Sequence, residues 1–206
     1  MTLSEIFDIL LAWTPYMAKG FVMNLQISGL AILIGTTVGL AIGLLRLMQS
    51  RFIALGARGA TALCRNVPSF VMMFYLAVML PQEIALPGGG VQPVDPWIKA
   101  ALALAIPVAG FLSDQIVGAE ISGRRLFGPT LRIASAQYAM IIVMASATAS
   151  VIGADDLVAR AGRVAAITDT PGFLTWCYVY AALWFFAFGL LARAGLNFLA
   201  LRNARD

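Results

Sequence analysis

Three stretches of this chain, Phe21–Leu45, Ile133–Ala154 and Thr170–Ala192, contain no Asp, Glu, Lys or Arg, which decides the solvent the protein folds in. A helix crosses the ~30 Å hydrocarbon core of a bilayer with about 20 mostly apolar residues, and each stretch is long enough. Gly59–Leu80 matches them with one exception, Arg65. Trp97–Gly118 carries Lys99 and Asp114 towards its ends, where both can snorkel to headgroups. The expected fold is an all-α membrane protein with five transmembrane helices. Of the 206 residues, 61% are hydrophobic and only 12% charged, too few to clothe a soluble domain. The whole chain, residues 1–206, reads as one transmembrane domain.

Ahead of the first span, Thr2 and Glu5 have the spacing of a capping box. Leu3, Ile6, Phe7, Leu10 and Leu11 then share one helical face, opposite Ser4, Glu5 and Asp8. This pattern predicts a short N-terminal helix lying in the membrane interface. A signal peptide is not expected, because the early charges are acidic and no basic n-region precedes the apolar run.

Catalytic chemistry finds little footing. The chain has no histidine, and Cys64 and Cys177 stand apart without metal-ligand spacing. No nucleophile elbow, phosphate loop or carboxylate pair occurs. Neither an enzyme nor a cofactor or metal site is expected, and no basic segment suggests nucleic acid.

Charge distribution sets an expected orientation. With the N-terminus outside, the cytoplasmic segments hold Arg46, Arg51, Arg58, Arg65, Arg124, Arg125, Arg132, Arg193, Arg202 and Arg205. The outer segments hold only Lys19, Lys99, Arg160 and Arg163. That asymmetry is the positive-inside pattern. Trp13, Trp97 and Trp176 fall near the outer ends of spans, as an aromatic belt would. Pro81–Pro96 is rich in proline and glycine and reads as an outer loop.

Within the first span, Gly35, Gly39 and Gly43 recur every four residues and form a stripe where another backbone can approach. The surrounding run, KGFVMNLQISGLAILIGTTVGLAIGLLRLMQSR, resembles the first core helix of amino-acid ABC transporter permeases. Gly20, Leu25, Ser28, Gly39 and Gly43 match the family, and Asn24 stands where Thr is usual. CRNVPSFVMMFYL is similar to the family's Arg-Gly-Thr-Pro helix, through Arg65 and Pro68. A proline there bends the helix and frees a carbonyl, which Arg65 could satisfy, unless it snorkels to headgroups. GFLSDQIVG resembles the Ala-Tyr-x-x-Glu segment, with Phe111 for Tyr, Asp114 for Glu and Val117 for Arg. SVIGADDL resembles Ser-Val-Ile-Gly-x-x-Glu-Leu, with Asp156 for Glu.

The resemblance implies a type I ABC importer permease in the bacterial inner membrane. Its implied partners are a second permease subunit, cytoplasmic ATPase subunits, a periplasmic solute-binding protein and membrane lipid. Two departures bear on function. The family joins its third and fourth core helices by a long loop whose Glu-Ala-Ala helix docks in the ATPase. Here that loop is cut to a glycine-rich turn, and Glu120, Arg124 and Arg125 are the remaining candidates for ATPase contact. The family's Lys-Asp-Thr-Ser-Leu stretch is replaced by Met144–Thr148. Gln137, Ser146, Thr148 and Met72 are left as candidates to line a solute path, although the hydroxyls could equally bond helices together. The expected function is therefore a permease subunit for amino acids or related small polar solutes, coupled through a second permease. The alternative is a non-conducting scaffold that keeps the fold and binds the other subunits.

Overall fold

A computed structural model describes residues 2–85, 90–123 and 128–203, with side chains described up to Leu196. The helices are α1 (Leu3–Arg46), α2 (Arg51–Asn66), α3 (Ser69–Met79), α4 (Pro96–Ile121), α5 (Pro129–Ala145), α6 (Leu157–Thr168) and α7 (Phe173–Asn203). A 3₁₀ segment, Ser146–Ile152, continues α5. Between α3 and α4, β1 (Glu83–Ala85) pairs antiparallel with β2 (Val91–Pro93) in the proline-rich loop. Among the described residues, four helices are long and apolar enough to cross a membrane, or five if the bent pair α2 and α3 counts as one span. Among the described residues the fold is all-α apart from that small hairpin.

The capping box forms at Thr2 as its spacing predicts, with the Thr2 hydroxyl on the Glu5 N–H and the Glu5 carboxylate on the Thr2 N–H. The helix it starts differs from expectation. It is no separate interfacial element but runs for 44 residues into the first span. Its length is about 66 Å at 1.5 Å per residue. The expected apolar face is divided: Ile6 and Leu10 pack against α6 and α7, while Leu3, Phe7 and Leu11 stay exposed. Packing onto α6, an element with no counterpart among the expected spans, explains why this helix holds its direction.

The largest reordering concerns α4. Its ends looked fit for headgroups, yet α4 is the core of the bundle, 56% buried over its apolar window against 11% for α7. A helix that does not face lipid need not be strongly apolar; it needs small side chains and satisfied polar ones. Ala100, Ala101, Ala103, Ala105 and Ala109 are buried along it. Against it lies the α1 glycine stripe. A Cβ on Gly35 would stand 2.5 Å from the Ala105 carbonyl oxygen, and one on Gly39 would stand 2.7 Å from that of Ala109. At Gly43 the neighbour is the Ile116 side chain, 2.7 Å away. No side chain fits those separations, so glycine sets how near the two helices come.

Lys99 does not snorkel. It is buried, and its Nζ donates to the carbonyls of Ala77 (3.3 Å) and Leu80 (3.1 Å), which end α3 without intrahelical partners. The second span is also broken rather than bent. Val67 and Pro68 are extended, and α3 leaves α2 at 98°. Proline disfavours helical φ/ψ for the residue before it, so Val67 cannot carry α2 onward.

The 3₁₀ segment has a local cause. Ser146, Thr148 and Ser150 each donate a hydroxyl to the carbonyl three residues back, at 2.7, 2.7 and 3.1 Å. Gly153, at φ 91°, then turns the chain in a conformation that favours glycine. Asp156 caps α6 through the Ala159 N–H (2.8 Å), and Asp155 pairs with Arg160 (2.6 Å) and Arg163 (2.7 Å). Arg160 also donates to the Tyr16 carbonyl (2.9 Å), which ties α6 to α1.

Candidate functional site

Besides the Asp155, Arg160 and Arg163 group at the head of α6, two polar clusters tie the described helices together. The first gathers where α1 ends. The Arg46 Nη1 donates to Asp114 Oδ1 (2.6 Å), Ser113 Oγ (3.1 Å) and Thr61 Oγ1 (3.3 Å). Arg65, in the last turn of α2, takes the other Asp114 oxygen. Asp114 thus joins α1, α2 and α4 through two guanidinium groups. The partners differ in surroundings: the Arg46 side chain is 15% exposed and that of Arg65 is 61% exposed. Two arginines on one carboxylate leave the cluster with a net positive charge.

Beside it is a cavity of about 310 Å³ lined by Arg65, Pro107, Phe111, Asp114, Gln115 and Tyr138. Phe111 and Tyr138 stack with ring centroids 4.0 Å apart and planes within 3°. The Tyr138 hydroxyl donates to the Pro107 carbonyl (3.2 Å), which fixes the ring across α4 and α5. The cavity therefore has an aromatic wall, a guanidinium, a carboxylate and an amide, groups suited to a small polar solute.

The second cluster joins α1 to the turn before α6. Asn24 is fully buried, and its Nδ2 donates to Ser146 Oγ (3.1 Å) and Asp156 Oδ2 (3.2 Å). Its Oδ1 accepts the Leu157 N–H (3.1 Å), so every polar atom of the amide is engaged. Ser28 donates to the Asn24 carbonyl (2.7 Å). Asp156 is buried too. Among the described residues no cation pairs with it, and burial pushes its carboxyl above the usual carboxylate range, against the N–H donors of Ala159 and Asn24.

The residues singled out from sequence are scattered across this frame. Ser146 belongs to the second cluster. Thr148 is half-buried, turned to its own backbone and 3.7 Å from the Met73 sulfur. Met72 packs at the edge of the main core cluster. Gln137 is exposed on α5, next to Tyr138 in sequence. Glu120 is exposed in the last turn of α4, whereas Arg124 and Arg125 lie outside the described residues. The four path candidates do not converge. The residues that do converge are Arg46, Arg65 and Asp114 at one end and Asn24 and Asp156 at the other, and the sequence marked four of these five without pairing them. Asn24, Asp114 and Asp156 each stand as a substitution in a family pattern, and that is the signal by which they could be found.

Comparison with solved structures decides the fold. The chain superposes on the crystal structure of an amino acid ABC transporter with histidines at a TM-score of 0.78, covering 98% of this chain and 100% of that one, with 22% sequence identity. The chain has the fold of an amino-acid ABC transporter permease. The resemblance read from its motifs therefore extends to its architecture. The nopaline transport system permease protein NocM of Agrobacterium fabrum is 30% identical over 117 residues, 55% of this chain. The match takes in 46% of that protein, so the chain spans about half the length of the curated relative. No family model matches the chain. In this permease fold, the Asp114 cluster falls where the sequence replaces the family's Glu, and the Asn24 cluster joins two further replaced positions.

Proposed function

We infer that the chain is a membrane-spanning subunit of an ABC-type importer for amino acids or related small polar solutes. It works beside a second permease that carries the coupling to the ATPase. The observation behind this is the pairing of a permease fold along the whole chain with a short α4–α5 connection. α4 ends at Ile121 and α5 begins at Pro129. Seven residues, 122–128, separate them. Such a connection is of ordinary length for neighbouring helices and has no room for a helix that would fill a groove on another protein.

Force has to pass through a docked element if nucleotide binding is to bias a membrane equilibrium. Reversing such an equilibrium takes about 5.5 kcal/mol of differential interaction. An exposed charge such as Glu120 contributes roughly 0–1 kcal/mol as an ion pair. The seven-residue connection is therefore a poor coupling point, and a complete partner subunit has to supply one.

The cavity beside Arg65, Gln115 and Tyr138 is the proposed solute contact, with a solute carboxylate on the exposed face of Arg65. The proposed setting is the bacterial inner membrane, with the N-terminus outside and the C-terminus in the cytoplasm, on the strength of the basic asymmetry. Reconstitution tests the reading. Uptake is expected from this chain with the ATPase, the solute-binding protein and a complete permease, and not when that permease is left out. Uptake without it would show that the long loop is dispensable. Assembly of all components without uptake in any combination would make the chain a scaffold.

A further inference from the structure

α2 is built unlike the helices around it. Its 16 residues extend about 24 Å, too short to span, and α3 departs from it at 98°. Its side chains sort into three strips. Ala54, Ala57 and Thr61 are buried against α1 and α4. Phe52, Leu55 and Leu63 are 88%, 64% and 66% exposed, on the side away from that buried strip. Between the two runs a basic line: Arg51, Arg58 and Arg65 stand seven apart, which at about 100° per residue keeps them within an arc of about 40°.

Arg65 ends this line in the Asp114 cluster. Arg51 and Arg58 are exposed, α2 contains no carboxylate, and among the described residues no Asp or Glu pairs with either. A helix with protein on one side, bare apolar side chains on the other and unpaired arginines along its flank matches the boundary of an anionic bilayer. Acyl chains would receive Phe52, Leu55 and Leu63, and headgroup phosphates would meet the guanidinium groups.

We propose that α2 is an interfacial helix that binds anionic phospholipid headgroups through Arg51 and Arg58, anchored by Phe52, Leu55 and Leu63. Charge complementarity selects this occupant. A protein face could cover the apolar strip, but the two free arginines call for a dense supply of anions beside an apolar phase, which a phospholipid surface provides. This surface is separate from the Arg65 cavity, and the proposal holds whether or not the chain conducts.

Native mass spectrometry of the full chain in mixed phosphatidylcholine and phosphatidylglycerol micelles tests it. The wild type should retain phosphatidylglycerol preferentially, and added salt should erode that preference. Each basic contact at an anionic surface is worth roughly fivefold, so removing both in R51Q/R58Q should lower the phosphatidylglycerol preference roughly 25-fold. K19Q, on an exposed lysine of α1, should leave it unchanged. The variant R51K/R58K keeps the charge and should keep the preference, which separates headgroup binding from a folding defect. A salt-insensitive preference in the wild type, or one that survives R51Q/R58Q, would overturn the proposal. So would disulfide cross-linking between Gly59→Cys chains in membranes, because that face would then be covered by a second copy.

Discussion

The two polar clusters solve the same problem by different means. Around Asp114, three charges meet at an edge of the fold, where one arginine is enclosed and the other largely open. Around Asn24, a single amide satisfies a carboxylate, a hydroxyl and a backbone N–H with no exposure at all. Charge is concentrated where water or headgroups can share its solvation; where nothing can, neutral donors serve the buried Asp156 carboxyl. Arg46 and Asn24, some 22 residues apart on α1, are about 33 Å apart along its axis. One rigid helix therefore joins a charged anchorage to a largely neutral one.

An inverted topology would break this comparison most completely. In a Cys64→Ala, Cys177→Ala background, an impermeant thiol reagent applied from outside should label Gln92→Cys and leave Ser122→Cys unlabelled. The opposite pattern would put the Asp114 end outside and overturn the proposed orientation. Removing Asp114 should have the next largest effect. Asp114→Ala leaves the enclosed Arg46 with hydroxyl partners alone, at a cost of roughly 3 kcal/mol in the range for breaking a buried pair. A thermal melt in detergent within error of wild type would mean that this end of α1 is not held by charge.

Asn24→Ala strips partners from Asp156, Ser146 and the Leu157 N–H together, with an expected loss of about 2 kcal/mol. A larger loss than for Asp114→Ala in the same melt would reverse the ranking of the clusters. Arg65→Gln should cost no more than about 1 kcal/mol, because its side chain is open to solvent. The contrast between the two arginines sharpens the claim that enclosure, rather than charge count, sets the energy. The smallest expected effect is a pH slope from Asp156. Its carboxyl is raised above the unfolded value, so the native state binds the proton more tightly. Stability should then fall as pH rises from the unfolded towards the folded pKa. Comparing melts across the acid range, Asp156→Asn should flatten that slope; an unchanged slope would assign it to other groups.

The sequence was most readable where one helix carries the whole signal. The Thr2–Glu5 box and the Gly35, Gly39 and Gly43 spacing each depend on neighbours along a single element, and both are found in place. Pairings between distant segments left no such trace. Arg65 and Asp114 are 49 residues apart, and Asn24 and Asp156 are 132 apart. Each was visible as an odd residue in an apolar setting, but its partner was not. Lys99 and Asp114 even pointed the wrong way for α4, because a charge near a helix end reads as contact with headgroups until the chain is folded around it. α6 escaped notice because its twelve residues, small and mixed in polarity, look like a loop between two spans.

The 3₁₀ segment Ser146–Ile152 sets the spacing between α5 and α6 by its pitch. At about 2.0 Å per residue it is longer than the same seven residues would be as α-helix, at about 1.5 Å each. Rewinding it would draw the Gly153 corner about 3.5 Å towards α5. Ser146 is held by Asn24, and the corner leads directly into Asp155 and Asp156. A change of pitch inside one stretch of chain would therefore become a pull on α6 and on the part of α1 that α6 clasps, with no helix having to slide past another.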